Sequence, residues 1–213
     1  MHILMIAPEP IFEPRGTPMS VVGRLKALSE MGYKVDLVTY PIGQDVHLPG
    51  LQIKRTARIP GIRKVKIGPS LAKLPLDFLL IIQSIRCLLR KQYDLIHTHE
   101  EAGFWGTVLA RLFRIPHIYD MHSSLPQQLT NFKFTRSLSL IKLFERMEQW
   151  ILKYSSGVIT ICRDLFDYVN KIVPERGSEL IENVVDYGSV LPFPHQICQI
   201  YHKRLAHIGG GNL

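Results

Sequence analysis

Apolar and polar positions come in alternating blocks along this 213-residue chain. A short apolar run over residues 2–7 leads into a Pro-rich loop over residues 8–16. Apolar residues then recur at helical spacing: Val21, Val22, Leu25, Leu28 and Met31. Thr17 is placed as the N-cap of that helix, Pro18 as its first residue and Gly32 as its stop. The alternation continues. The pattern predicts further strands over 33–40, 51–54, 93–97, 117–121, 157–161 and 179–181. It predicts helices over 70–91, 101–113, 137–154 and 163–173, with Pro75 in the first turns of one and Pro174 stopping another. The rest of 41–69 reads as irregular, and 122–136 as a polar loop.

Strands that alternate with helices form βαβ units, which wind into a parallel sheet. The expected fold is therefore α/β, a Rossmann-like parallel β-sheet with helices on both faces. Ligands of such sheets sit at the carboxyl ends of the strands, near the point where strand order reverses. The loops to watch are 8–17, 40–50, 97–104, 120–130 and 162–164.

Composition narrows the class. Hydrophobic residues make up 46% and charged residues 21%, which excludes intrinsic disorder as the main state. Lys and Arg number 26 against 18 Asp and Glu, a net charge of +8 that favours anionic partners. Much of the excess lies in Lys54, Arg55, Arg58, Arg63, Lys64, Lys66 and Lys73, directly before an apolar stretch. That pairing reads in two ways: a solvated loop beside a core helix, or a surface that docks on anionic lipid through residues 54–73. Nucleic acid is not expected, because the basic stretch lacks aromatics for stacking and no nucleic-acid-binding motif is present. Cys87, Cys162 and Cys198 are too scattered for a disulfide framework or a zinc ribbon, and the first two sit in apolar patterns as core residues. Neither a secretory signal nor a membrane span is visible. The expected location is the cytoplasm, peripheral at the inner face of the membrane.

Three constellations fall on the strand ends. Arg15-Gly16-Thr17-Pro18 opens a helix, where free amides and the helix dipole suit an anion; the plain alternative is a turn with a cap. The spacing is not that of a dinucleotide fingerprint, and the second strand ends without an acidic residue, so a nicotinamide cofactor is not expected. His97-Thr98-His99-Glu100 puts two imidazoles on one side of a strand. Such a pair could bind metal, but no further ligand is evident. The simpler reading buries His97 and points His99 and Glu100 into the cleft. Asp120 and His122 likewise share a face, with Ser123 following. A carboxylate can hold a histidine in one tautomer for acid–base work, or the pair can be purely structural. No Gly-x-Ser-x-Gly elbow supports a serine hydrolase.

These pieces, in order, resemble the N-terminal domain of family 4-type glycosyltransferases of the GT-B fold. The resemblance runs from Met1 to about Pro194. It is carried by Gly16-Thr17; by Gly32-Tyr33-Lys34-Val35 after a leucine-containing helix; and by Tyr93-Asp94-Leu95-Ile96-His97-Thr98-His99. It continues through Ile115-Pro116-His117-Ile118-Tyr119-Asp120-Met121-His122, Ser156-Gly157-Val158-Ile159-Thr160-Ile161 and Ile181-Glu182-Asn183-Val184-Val185-Asp186. The resemblance implies a retaining hexosyl transfer from a nucleotide-sugar donor to a lipid-linked or cell-surface glycoconjugate acceptor, without metal or other cofactor. It implies that Gly16 and Thr17 meet the donor phosphate and that His122 contacts the reacting sugar. His99, Glu100, Asp120 and Ser123 would line the acceptor side.

The chain departs from the family pattern at Asn183-Val184, where Asn-Gly is usual, and at Ser123, where an acidic residue is common. Family members are also roughly twice as long. Residues 1–191 are expected to form the N-terminal domain. Residues 192–213 would be a tail, a linker and the first strand of an absent C-terminal domain. A donor-binding half would then come from a separate domain, leaving this half inactive alone. The competing reading is a non-catalytic membrane- or partner-binding module.

Overall fold

The first strand, β1 (His2–Ala7), divides its side chains between two cores. In a computed structural model, which describes residues 1–11, 16–62, 64–65, 73–131 and 137–182, Ile3, Met5 and Ala7 face Val21, Leu25 and Leu28 of helix α1 (Gly16–Glu30). Leu4 and Ile6 face the opposite way, toward Leu76 and Leu80 of α2 (Leu74–Arg90) and Leu109 of α3 (Ala102–Phe113). Period-two alternation on a strand buried on both sides makes this division.

The remaining strands are β2 (Lys34–Thr39), β3 (Leu51–Arg55), β4 (Leu95–His99), β5 (His117–Met121), β6 (Gly157–Thr160) and β7 (Ser178–Leu180). With β1 they form one sheet in the order β3-β2-β1-β4-β5-β6-β7. Every neighbouring pair is parallel. This is the Rossmann-like α/β fold read from the sequence. Strand order reverses between β1 and β4, which opens the switch-point crevice there. Helices α5 (Leu138–Tyr154) and α6 (Arg163–Ile172) extend the α2–α3 layer, packing Ile151, Leu152, Leu165 and Val169 on Tyr119, Met121 and Val158.

Local signals explain the joints. Gly32 takes φ 74° after α1, and the amides of Gly32 and Tyr33 bond back to Ser29 and Leu28. A left-handed glycine is the usual way to satisfy a helix's last carbonyls. At the sheet edge, Arg55 of β3 donates to the carbonyls of Tyr40, Ile42 and Gln44 at 3.0, 2.8 and 2.6 Å, and to Asp45 Oδ1 at 2.9 Å. One guanidinium thus organises the loop that leaves β2. On α3, Gly103 and Gly106 let the helix approach the sheet closely. A Cβ at Gly106 would lie 2.2 Å from Thr98 Cγ2, and one at Gly103 would lie 2.7 Å from Tyr119 Cε2.

The structure revises several expectations. Strand β4 runs on to His99, because His97 and His99 are paired with β5 in register and fully buried. Residues 122–136 contain a short helix, α4 (Leu125–Asn131). Helix α1 already includes Gly16 and Thr17, so Thr17 is not the cap; its hydroxyl bonds to Glu100 instead. Cys162 is exposed rather than in the core, whereas Cys87 is buried as expected. Arg15, Arg63, Lys66, the segment beginning at Asn183 and the proposed tail 192–213 lie outside the described residues, as does Cys198. Among the described residues, no helix is long and apolar enough to cross a membrane.

Replacing Gly106 by Ala forces α3 away from β4. The expected cost is about 1–3 kcal/mol, measured as a lower urea midpoint with an unchanged m-value.

Candidate functional site at the carboxyl ends of the strands

Strand parity puts His97 and His99 of β4 and Asp120 of β5 on the face that α1 covers, with His122 just beyond the end of β5. The four side chains meet there. His97 and His99 stack with ring centroids 4.6 Å apart, and the His99 and His122 rings lie 5.4 Å apart. Asp120 is the hub. Its Oδ1 is 3.2 Å from His122 Nε2; its Oδ2 is 3.5 Å from His97 Nε2 and 3.7 Å from His99 Nδ1. From above, Arg24 of α1 donates through Nε to Asp120 Oδ2 at 3.0 Å, and its Nη2 reaches the carbonyl of Ile181 at 3.2 Å.

The electrostatics follow from burial. Burial alone would push the Asp120 carboxyl up, but Arg24, His122 and His97 together hold it well below the usual carboxylate range. Burial pushes His99 well below the ordinary imidazole value, opposed by Asp120 and reinforced by its neighbours His97, His122 and Arg24. His97 moves the same way, burial outweighing Asp120. The centre is therefore one fixed ion pair, Arg24–Asp120, with His97 and His99 held neutral near neutral pH. Asp120 and His122 fulfil the expected carboxylate–histidine contact. His99 does not project into open cleft: it is fully buried, and no partner meets its Nε2 among the described residues.

The rim is built by Glu100. It sits at φ 48°, a left-handed conformation that costs a non-glycine residue about 1 kcal/mol or more. There its carboxylate accepts from Thr17 Oγ1 at 3.3 Å and from Ser123 Oγ at 2.9 Å. The loops after β1, β4 and β5 are thereby tied together across the switch-point crevice. Behind them, buried Glu148 of α5 accepts from Ser124 Oγ, the Leu125 amide and Tyr168 OH at 3.0, 3.0 and 2.7 Å. Burial still leaves its carboxyl raised. Of the expected site residues, the structure brings together His99, Asp120 and His122, and separately Thr17, Glu100 and Ser123; the Gly16 backbone opens α1 beside Thr17.

Sequence reasoning missed Arg24 and Glu148. The signal was present: Arg24 falls three residues after Val21 on the apolar stripe of α1, and Glu148 falls three before Ile151 on that of α5. A charge inside a buried stripe must find a partner.

His97, His99 and Asp120 bring donor atoms within 4.8 Å of one another, so Asp120 is the third donor that the strand pair lacked in the sequence. The set is a poor cradle for a cation. A divalent ion there would sit, fully buried, against the Arg24 guanidinium that already occupies Asp120 Oδ2.

The sequence pattern of Glycosyltransferase Family 4 matches residues 14–188. The chain belongs to that family. Solved structures agree on the fold of this family 4 domain. Sucrose-phosphate synthase from Thermosynechococcus elongatus superposes with a TM-score of 0.62 at 20% identity, over 85% of this chain and 47% of that one. A shorter solved chain of the same synthase gives 0.66 at 18% identity, over 98% and 99%. UGT73P12 of Glycyrrhiza uralensis, complexed with glycyrrhetinic acid 3-O-monoglucuronide, gives 0.52 at 14% identity, over 92% and 50%. The family 4 domain thus spans about half the length of the full-length synthase and of the Glycyrrhiza enzyme. No curated protein matches it in sequence. The resemblance is to the N-terminal half of a GT-B glycosyltransferase, as the sequence motifs implied.

Two stability predictions follow from the buried charges. Arg24→Met strands the Asp120 carboxylate and is expected to cost about 3–5 kcal/mol, while the double variant Arg24→Met/Asp120→Asn recovers part of that loss. Both are read by urea unfolding. The second concerns His117, buried against the hydroxyls of Thr98, Thr107 and Ser155. Burial, with a smaller contribution from His97, pushes its pKa down to about 3. The unfolded chain takes up a proton near pH 6.5 that the folded chain refuses, so stability is full above that pH. It falls as the pH drops from about 6.5 toward 3, by up to about 1.4 kcal/mol per pH unit for each such proton. His117→Asn should flatten the slope of the unfolding midpoint against pH between 6 and 4 by about one proton's worth.

Proposed function

We propose that this chain is the acceptor-side half of a retaining enzyme. It would move a hexosyl group from a nucleotide-sugar donor to a lipid-linked or cell-surface glycoconjugate acceptor. The observation that carries this reading is the imidazole of His122. Asp120 Oδ1 lies 3.2 Å from its Nε2, and Nδ1 is buried without a partner among the described residues. An orphaned buried acceptor costs about 1–3 kcal/mol. A hydroxyl of the reacting sugar, donating to Nδ1, would remove that cost.

The other roles follow from position. Gly16 and Thr17 open α1, where backbone amides and the helix dipole suit the donor's diphosphate. His99, Glu100, Asp120 and Ser123 belong to the acceptor side. Glu100 would exchange its bonds to Thr17 and Ser123 for bonds to acceptor hydroxyls, which a strained, polar rim makes inexpensive. Residues 1–191 would supply this acceptor domain, with the donor held by the donor-binding half of a GT-B fold. The reading needs no metal at the His97–His99–Asp120 set, where Arg24 supplies the positive charge next to Asp120. The family match and the charge of +8 support a phosphate-bearing donor.

The test is nucleoside-diphosphate release from a panel of nucleotide sugars with a membrane-lipid extract as acceptor. The chain alone should give none. With a donor-binding half supplied, release should appear. His122→Ala should then lower kcat by about a hundredfold or more with the fold intact by circular dichroism. Full activity of His122→Ala would remove the assignment. Chelation with EDTA should leave the rate unchanged; a loss restored by added divalent cation would overturn the metal-free reading.

A further inference from the structure

Helix α2 is apolar on its outside. Its buried side carries Leu76, Leu80, Ser84 and Cys87. On a helix of 3.6 residues per turn, Phe78, Ile82 and Leu89 fall on the opposite side as a ridge, with Ile85 at its edge packing against the core. Phe78 is 63% and Leu89 72% exposed, and Leu74 at the helix start is 60% exposed. A surface helix ordinarily carries charge there. Val108 and Leu112 of the adjacent α3 are exposed as well, which widens the apolar surface.

Along one flank of that ridge lies a pocket of about 150 Å³ between α2 and the β2–β3 edge. Lys54, Arg86, Arg90 and Lys91 line it, with Gln83, Cys87, Tyr93 and Asp36. The one carboxylate is already engaged: Asp36 Oδ2 accepts from Lys91 Nζ at 2.8 Å and from Tyr93 OH at 2.7 Å. Among the described residues, no carboxylate lies within ion-pair distance of Lys54, Arg86 or Arg90. Three cations without a carboxylate partner among the described residues give this pocket a positive potential that attracts anions. Because α2 runs antiparallel to the strands it covers, its last turn brings Arg90 and Lys91 toward their amino ends, away from His122 and Asp120, while Lys54, near the end of β3, closes the pocket on the sheet side. The other end of α2 lies at the crevice, where Lys73 pairs with Glu101.

We propose that the α2 face is a membrane-docking surface, with the pocket of Lys54, Arg86, Arg90 and Lys91 taking the phosphate of an anionic lipid headgroup. The Phe78–Leu89 ridge then enters the headgroup–acyl boundary. Charge complementarity selects this occupant: a second copy of the chain would bring the same cations against these. The apolar ridge separates a lipid headgroup from free phosphate, which would not need it. Docking lays α2 along the bilayer with its first turn at the crevice, so that a lipid-borne acceptor reaches the rim without leaving the surface. The docking itself does not rest on the transferase reading.

The test is co-sedimentation with vesicles of phosphatidylcholine alone and with vesicles in which phosphatidylglycerol makes up about a third of the lipid. Binding is expected only to the second. Each cation near such a surface is worth about fivefold in partitioning. Arg86→Glu/Arg90→Glu should therefore weaken binding by well over tenfold, and Phe78→Ser/Leu89→Ser should abolish it while leaving the fold unchanged by circular dichroism. His122→Ala should bind as the parent does, which separates this inference from the catalytic one. Three results would overturn it: equal binding to both vesicles; unchanged binding by the Arg pair variant; or no vesicle binding together with self-association that Leu89→Ser abolishes. Competition by inorganic phosphate with the ridge variant still bound would also overturn it, since the pocket would then serve a soluble anion.

Discussion

One ion pair holds the chemistry of this domain in place. Arg24 of α1 and Asp120 of β5 are both fully buried, and neither could stay charged there without the other. The pair does more than neutralise. Asp120, held ionised, lies 3.2 Å from His122 and faces His97 and His99, while Arg24 reaches on to the carbonyl of Ile181 beyond β7. A single guanidinium therefore joins the helix after β1, the centre of the sheet and its far edge. The cost of burying charge is repaid in geometry: loops from distant parts of the chain have only one arrangement that leaves no charge stranded.

The topology decides where such a pair is useful. With strand order reversing between β1 and β4, the loops after those strands diverge and leave a crevice between them. Thr17 lies on one side and Glu100 on the other, and their hydrogen bond spans it. The strain at Glu100 and the orphaned nitrogens of His99 and His122 gather at this one end of the sheet. The amino ends of the strands show the opposite character, with Asp36 satisfied by Lys91, Tyr93 and His2. Among the described residues, the strained backbone and the unpartnered imidazole nitrogens thus share one end of the sheet.

Much of this was legible in the residues. Strands such as β1 and β5 and helices such as α3 and α5 announce themselves through period and punctuation, and parity alone puts Asp120 and His122 on one side. What escaped depended on contacts distant in sequence. The extra length of β4 comes from pairing of His97 and His99 with β5, which no local propensity records. Helix α4 begins where the Glu148 carboxylate receives the Leu125 amide, and Glu148 is 23 positions away. Thr17 reads as a cap because its oxygen could accept a backbone amide, but α1 already begins at Gly16, and the hydroxyl donates to the Glu100 carboxylate 83 positions on. The role of Arg24 depends on a partner 96 residues later, which no local pattern reports.

The arginine at the end of β3 has a consequence beyond the loop it organises. Strand β3 is the outermost of its side of the sheet, and an outermost strand offers bare amides and carbonyls to any extended peptide that drifts alongside. Arg55 folds the 40–45 segment over the carboxyl end of that border, while Lys54 adds a second positive charge beside it. A border covered in this way offers a second copy little bare backbone to pair with. The domain can therefore crowd onto one surface at high local density while its sheets stay separate, which any role that concentrates many copies in a thin layer would demand.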